Sequence, residues 1–116
     1  MKAKIKNVLC TDVENLESYQ GTGSYCIGVQ ISLGLDNQEG ADTYSVEVCS
    51  AQYLQETYED SIINLRHTIL MNDFSYPKFI DFIEKTFCTL EGEDWNELAL
   101  KLSRYGSWEF EDYKGY

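Results

Sequence analysis

Residues 25–50, YCIGVQISLGLDNQEGADTYSVEVCS, decide the fold. Tyr25, Ile27, Val29, Ile31, Leu33 and Leu35 recur at every second position with mostly small or polar residues between them, the period of a strand that buries one face. Asp36–Gly40 supplies turn chemistry. Tyr44, Val46 and Val48 then resume the alternation, so the stretch predicts a β-hairpin of two long antiparallel strands.

Working outward, the segment from Lys2 to about Cys10 predicts another strand, with Lys2, Lys4 and Lys6 on one parity and Ala3 and Ile5 on the other. That pattern belongs to a sheet covered on one face. On the other side of the hairpin, Ser50 is placed to cap a short helix, AQYLQETY. From Ile63 the alternation returns through Leu65, His67, Ile69 and Met71, which predicts a fourth strand. Pro77 suits the first turn of a helix whose Tyr76, Phe79, Ile80, Ile83 and Phe87 recur at spacings of three and four. Asp94, with Glu97 three residues on, opens the next helix; Trp95, Leu98, Ala99 and Leu102 form its apolar stripe and Gly106 can end it. Strands first and helices last predict an α+β fold, an antiparallel sheet of about four strands with two to three helices packed mainly on one face. The 116 residues suit a single domain over 1–116, and no internal repeat is visible.

Charge narrows the partners. Twenty acids against nine bases give a net charge of −11, and no Lys or Arg falls between Asn7 and Leu65, a stretch that holds ten of the acids. Such an excess repels phosphate backbones and anionic lipid, so neither nucleic acid nor membrane is an expected partner. A basic protein is, because complementary potentials speed encounter; the acidity also serves solubility. The N-terminal MKAKIKNVLC lacks the apolar run of a signal peptide, and no run approaches the length of a membrane span, which predicts a cytoplasmic protein. Cys10, Cys26, Cys49 and Cys88 are too widely and irregularly spaced for a redox pair or a paired zinc motif. Free thiols packed as small apolar residues are expected, with no cofactor and no metal.

Catalysis finds little support. His67 is the one histidine, and it lies on the apolar parity of the predicted fourth strand with no serine or cysteine motif beside it. A hydrogen-bonded histidine at the edge of the core is expected. GTGSYCIG lacks the lysine of a phosphate loop and leads into a strand. Glu91, Glu93, Asp94 and Glu97 are dense enough for calcium but lack the alternating ligands and central glycine of a calcium loop, and helix capping accounts for two of them.

MKAKIKNV, VEVCS, RHTIL, FIDFIEKTF and above all DWNELALKLSRYGSWEFEDY resemble the immunity protein 8 family of bacterial polymorphic-toxin systems, of the contact-dependent inhibition type. The resemblance covers nearly the whole chain. It departs at Tyr53, where a tryptophan is expected, and at NLRH, which lacks a glycine before Thr68. It implies a cytoplasmic antidote that binds and blocks a cognate toxin domain and is not an enzyme; a monomer or weak dimer is expected. Many such toxins are nucleases with basic active sites, where carboxylates of an antidote can take the place of phosphates. A small acidic secretion chaperone or adaptor is the alternative.

The last twelve residues, YGSWEFEDYKGY, crowd five aromatics and three carboxylates together. As an edge strand they would place Trp108, Phe110 and Asp112 on one parity and Glu109, Glu111 and Tyr113 on the other, so that aromatics anchor and acids face outward. Seven of the twenty acids fall between Glu91 and Asp112. Glu91, Glu93, Glu109, Glu111, Asp112 and Tyr113 are therefore the residues expected to meet the toxin.

Overall fold

The hairpin lies at the centre of the sheet in the computed structural model, which describes residues 1–111. β2 (Cys26–Gly34) and β3 (Asp42–Cys49) pair antiparallel from Cys26 opposite Cys49 to Leu33 opposite Asp42. Their alternation does what the pleat requires: Ile27, Val29, Ile31 and Leu33, with Tyr44, Val46 and Val48, are all buried. At the turn a β-carbon on Gly34 would stand 2.3 Å from the Gly40 carbonyl oxygen, and Gly40 itself has φ +91°, so both positions require glycine.

β1 (Lys4–Leu9) pairs antiparallel with β2, but the register slips between Ile5 and Asn7. Lys6 is the extra residue of a bulge. That is why the inward positions run Ala3, Ile5 and then Val8, Cys10, a change of parity that a regular strand cannot make.

Ser50 opens α1 (Ala51–Thr57) as expected. Its Oγ accepts the Tyr53 N–H at 3.1 Å and the Tyr25 N–H at 3.2 Å, while its own N–H donates to the Tyr25 carbonyl at 3.0 Å. One buried hydroxyl thus joins the start of β2 to the start of α1. Ser50→Ala should cost about 2 kcal/mol, because it removes a cap and leaves a second N–H unpaired. Thermal unfolding checks this, with a fall of about 8 °C expected.

The fourth strand is shorter than its sequence alternation. β4 spans Thr68–Leu70 only, and Ile63 and Leu65 lie outside it, exposed. His67 explains the boundary: its φ is +58°, a left-handed conformation that breaks the extended backbone just before Thr68. β4 also runs parallel to β3, pairing Glu47–Cys49 with Thr68–Leu70, because α1 intervenes and returns the chain in the same sense.

α2 (Tyr76–Phe87) and α3 (Trp95–Leu102) cover the apolar side of the sheet. Phe79, Ile83 and Phe87 from the first and Leu98 and Leu102 from the second share one core with the inward residues of β2 and β3. Pro77 sits in the first turn of α2, and Asp94 caps α3 by accepting the Glu97 N–H at 2.8 Å. The chain then returns as β5 (Ser107–Trp108), antiparallel to Tyr44–Ser45 of β3. One edge of β3 is therefore shared, by β5 along its first half and by β4 along its second. Among the described residues the fold is α+β, an open sheet of five strands with three helices, antiparallel except for β4.

Candidate interaction surface

The residues expected to meet a partner fall into two groups with different neighbours. Glu91 and Glu93 lie exposed between α2 and α3, against the chain's first residues. Lys2 Nζ stands 3.6 Å from the Glu91 carboxylate, Lys101 Nζ donates to the Glu91 carbonyl at 2.7 Å, and the Met1 ammonium donates to the Gly92 carbonyl at 2.8 Å. Local cations offset much of that acidity.

Glu109 is exposed and Glu111 half-buried, but both carboxylates are already partnered within the fold. The strand ends at Trp108, and the chain turns, with the Glu111 N–H donating to the Trp108 carbonyl at 3.0 Å. Glu109 closes on β3: its carboxylate accepts the Thr43 N–H at 2.9 Å and its N–H donates to the Thr43 carbonyl at 3.0 Å. Glu111 accepts from both terminal nitrogens of Arg66, which holds its carboxyl below the usual glutamate range. Glu109 ties the C-terminal turn to β3, and Glu111 ties it to the segment before β4. Asp112 and Tyr113 lie outside the described residues.

The aromatics have a structural answer. Trp95 and Trp108 both donate their indole N–H to the same oxygen of Asp42, at 2.8 and 3.0 Å, and Phe110 stacks edge-on against Trp108 at 5.9 Å between ring centres.

The open face of the sheet offers a site that the sequence reading missed. Gly28 and Gln30 of β2 and Ser45 and Glu47 of β3 project away from the core, and Asp12 closes the end of this face by accepting the Gly28 N–H at 2.7 Å. Residues 58–67 rise beside them and enclose a concavity of about 730 Å³. Its wall is apolar. Tyr58 and Ile63 are more than a third exposed, Leu65 is half exposed, and the neighbouring Ile62 is bare to solvent. The signal was in the sequence, since Ile62, Ile63 and Leu65 follow directly on Glu59 and Asp60, but alternation assigned them to a strand.

His67 stands where this wall meets the sheet, its ring nitrogens buried and within reach of the Tyr105 backbone. Burial, with the Arg66 guanidinium beside it, lowers its pKa below 6.5, against a smaller opposite pull from Glu111 and the Tyr105 backbone. The unfolded chain therefore takes up the proton first, so this contribution to stability is complete above 6.5 and is lost as the pH falls below it. His67→Gly should remove that acid-side loss and relieve the left-handed strain, leaving a flatter unfolding profile between about pH 7.5 and 5. An unchanged profile would assign the acid sensitivity to other groups.

Among the described residues no helix is long and apolar enough to cross a membrane. No curated protein and no solved structure matches the chain significantly. A sequence model of the family described as immunity protein 8 matches residues 3–113, a span that takes in every strand and helix above.

Proposed function

The chain belongs to the immunity protein 8 family, and on that premise we propose that it neutralises a basic, nuclease-type toxin domain in the cytoplasm by covering it, without catalysis. The observation that carries the choice of surface is the exposure of Tyr58, Ile62, Ile63 and Leu65 in one short segment beside an open sheet face. A monomer seldom leaves adjacent large apolar side chains uncovered without a partner for them. Glu47 lines the concavity and the exposed Glu56, Glu59 and Asp60 lie close to these residues in sequence, a charged setting whose sign suits a basic toxin. Glu91 and Glu93, placed elsewhere, contribute to the field that steers encounter. Glu111 holds Arg66 and Glu109 holds Thr43 of β3, and Asp112 and Tyr113 remain proposed contacts with the toxin.

Co-expression with the toxin domain encoded beside it tests the reading. The chain should co-purify with that domain and protect the cell. Ile62→Asp with Leu65→Asp should weaken binding by about 2 kcal/mol, roughly thirtyfold, without loss of stability, since both side chains already face water. Glu91→Lys with Glu93→Lys should slow association, more so at low salt, and leave dissociation nearly unchanged. An aspartate pair that protects as well as the parent chain would remove residues 58–65 from the interface. A parent chain that neither binds nor protects would overturn the function itself.

A further inference from the structure

The hairpin register brings together three side chains that the sequence keeps apart. Cys26 stands directly opposite Cys49 on the paired strands, and Glu47, two residues before Cys49, projects from the same face. The next pair along, Tyr25 and Ser50, is hydrogen-bonded through the Ser50 N–H to Tyr25 carbonyl contact. Cys26 and Cys49 consequently form a non-hydrogen-bonded pair, the kind in which facing side chains approach most closely. The Cys26 sulfur lies 4.0 Å from a Glu47 carboxylate oxygen, and the two sulfurs and that carboxylate all fall within 4.8 Å of one another. Burial is graded across the three: Cys49 is enclosed, Cys26 half-buried and Glu47 exposed. The cluster is closed on its inner side and open on its outer side.

We propose that Cys26, Glu47 and Cys49 bind one borderline-soft divalent cation of the zinc class, through two thiolates and a carboxylate, with the fourth tetrahedral position open to solvent. The donor set selects the ion. Two sulfurs disfavour magnesium and calcium, which take six or more oxygens, and favour the metals that accept thiolate and carboxylate together. Bonds of about 2.3 Å to sulfur and 2.1 Å to oxygen require the donors to close in by only part of their present separation, within reach of small rotations at the exposed Glu47 and half-buried Cys26. Each thiol yields its proton on binding, so two protons leave per ion. The Cys49 thiol, pushed up to about 12 chiefly by its burial, holds its proton firmly and sets the affinity below that of a fully solvated thiolate site. Spacing along the chain gave no sign of this site, because its donors meet only through strand pairing.

Cobalt(II) is the probe. Titrated anaerobically into the reduced chain, it should produce a thiolate-to-cobalt charge-transfer band that saturates at about one ion per chain and is displaced by zinc. The band should vanish in Cys26→Ser and weaken at least about tenfold in affinity in Glu47→Gln, while Cys10→Ser and Cys88→Ser leave it intact. Cys26 and Glu47 are both partly solvated, so these two variants should fold, and circular dichroism confirms it. Absence of the band in the parent chain, or a band that survives Cys26→Ser, overturns the site. Neither result touches the toxin-binding reading, which is tested without metal.

Discussion

Asp42→Ala is expected to lower the free energy of unfolding by about 3 kcal/mol, a drop of roughly 12 °C in melting temperature. One carboxylate oxygen accepts both indole N–H groups, from Trp95 at 2.8 Å and Trp108 at 3.0 Å, in a partly buried setting. Hydrogen bonds to a charged acceptor contribute about 1.5 to 3 kcal/mol each, and their loss leaves two donors with nothing to meet. Asp42 begins β3, Trp95 begins α3 and Trp108 ends β5, so the substitution loosens the last helix and last strand together. Asp42→Asn keeps an acceptor of the same shape without the charge and should cost about half as much. A double-mutant cycle with Trp95→Phe isolates one of the two bonds. A loss below about 1 kcal/mol in Asp42→Ala would mean that water serves the indoles equally well. The variant also has a functional readout: β5 carries the turn in which Glu111 grips Arg66, a residue lining the concavity, so toxin binding should weaken along with stability.

Phe87→Ala should be more damaging, at about 4 kcal/mol. The ring is 1% exposed at the end of α2, in the same core as the inward residues of β2 and β3. Opposite it stands Gly106, where a β-carbon would lie 3.3 Å from the Phe87 ring and 3.0 Å from the Tyr44 β-carbon. Glycine lets the chain cross that close to β3, and it also means that no side chain at 106 can fill the space a lost ring leaves. Tyr105, whose ring centre is 6.1 Å away, is half exposed and gains little by moving inward. Phe87→Leu retains most of the volume and should cost no more than about 1.5 kcal/mol. Urea titration of the two variants reads the difference. Equal losses would show that ring shape, and not volume, decides the site.

The sequence by itself determined the hairpin, the two amphipathic helices α2 and α3, and the N-caps of α1 and α3. Each of these is set within a few residues: alternation at Ile27–Leu33 states which side of the backbone is buried, spacing at Phe79, Ile83 and Phe87 does the same for a helix, and Ser50 and Asp94 each satisfy the N–H group three positions on. It also determined the family, through motifs spread over residues 3–113. Tertiary structure decided what local pattern cannot encode. The alternation of Leu65, His67, Ile69 and Met71 is real, but only pairing with β3 separates the strand at Thr68–Leu70 from the exposed loop before it, and the left-handed His67 marks the break. That β4 runs parallel and shares an edge of β3 with β5 follows from the path of the chain through α1 and α3. The acids make the same point. A sequence counts them, whereas the fold gives Asp42 two indoles, Glu109 a strand edge and Glu111 an arginine, and leaves the apolar wall at residues 58–65 uncovered. Burial side is a short-range property of the backbone; partnership depends on residues brought together from across the chain.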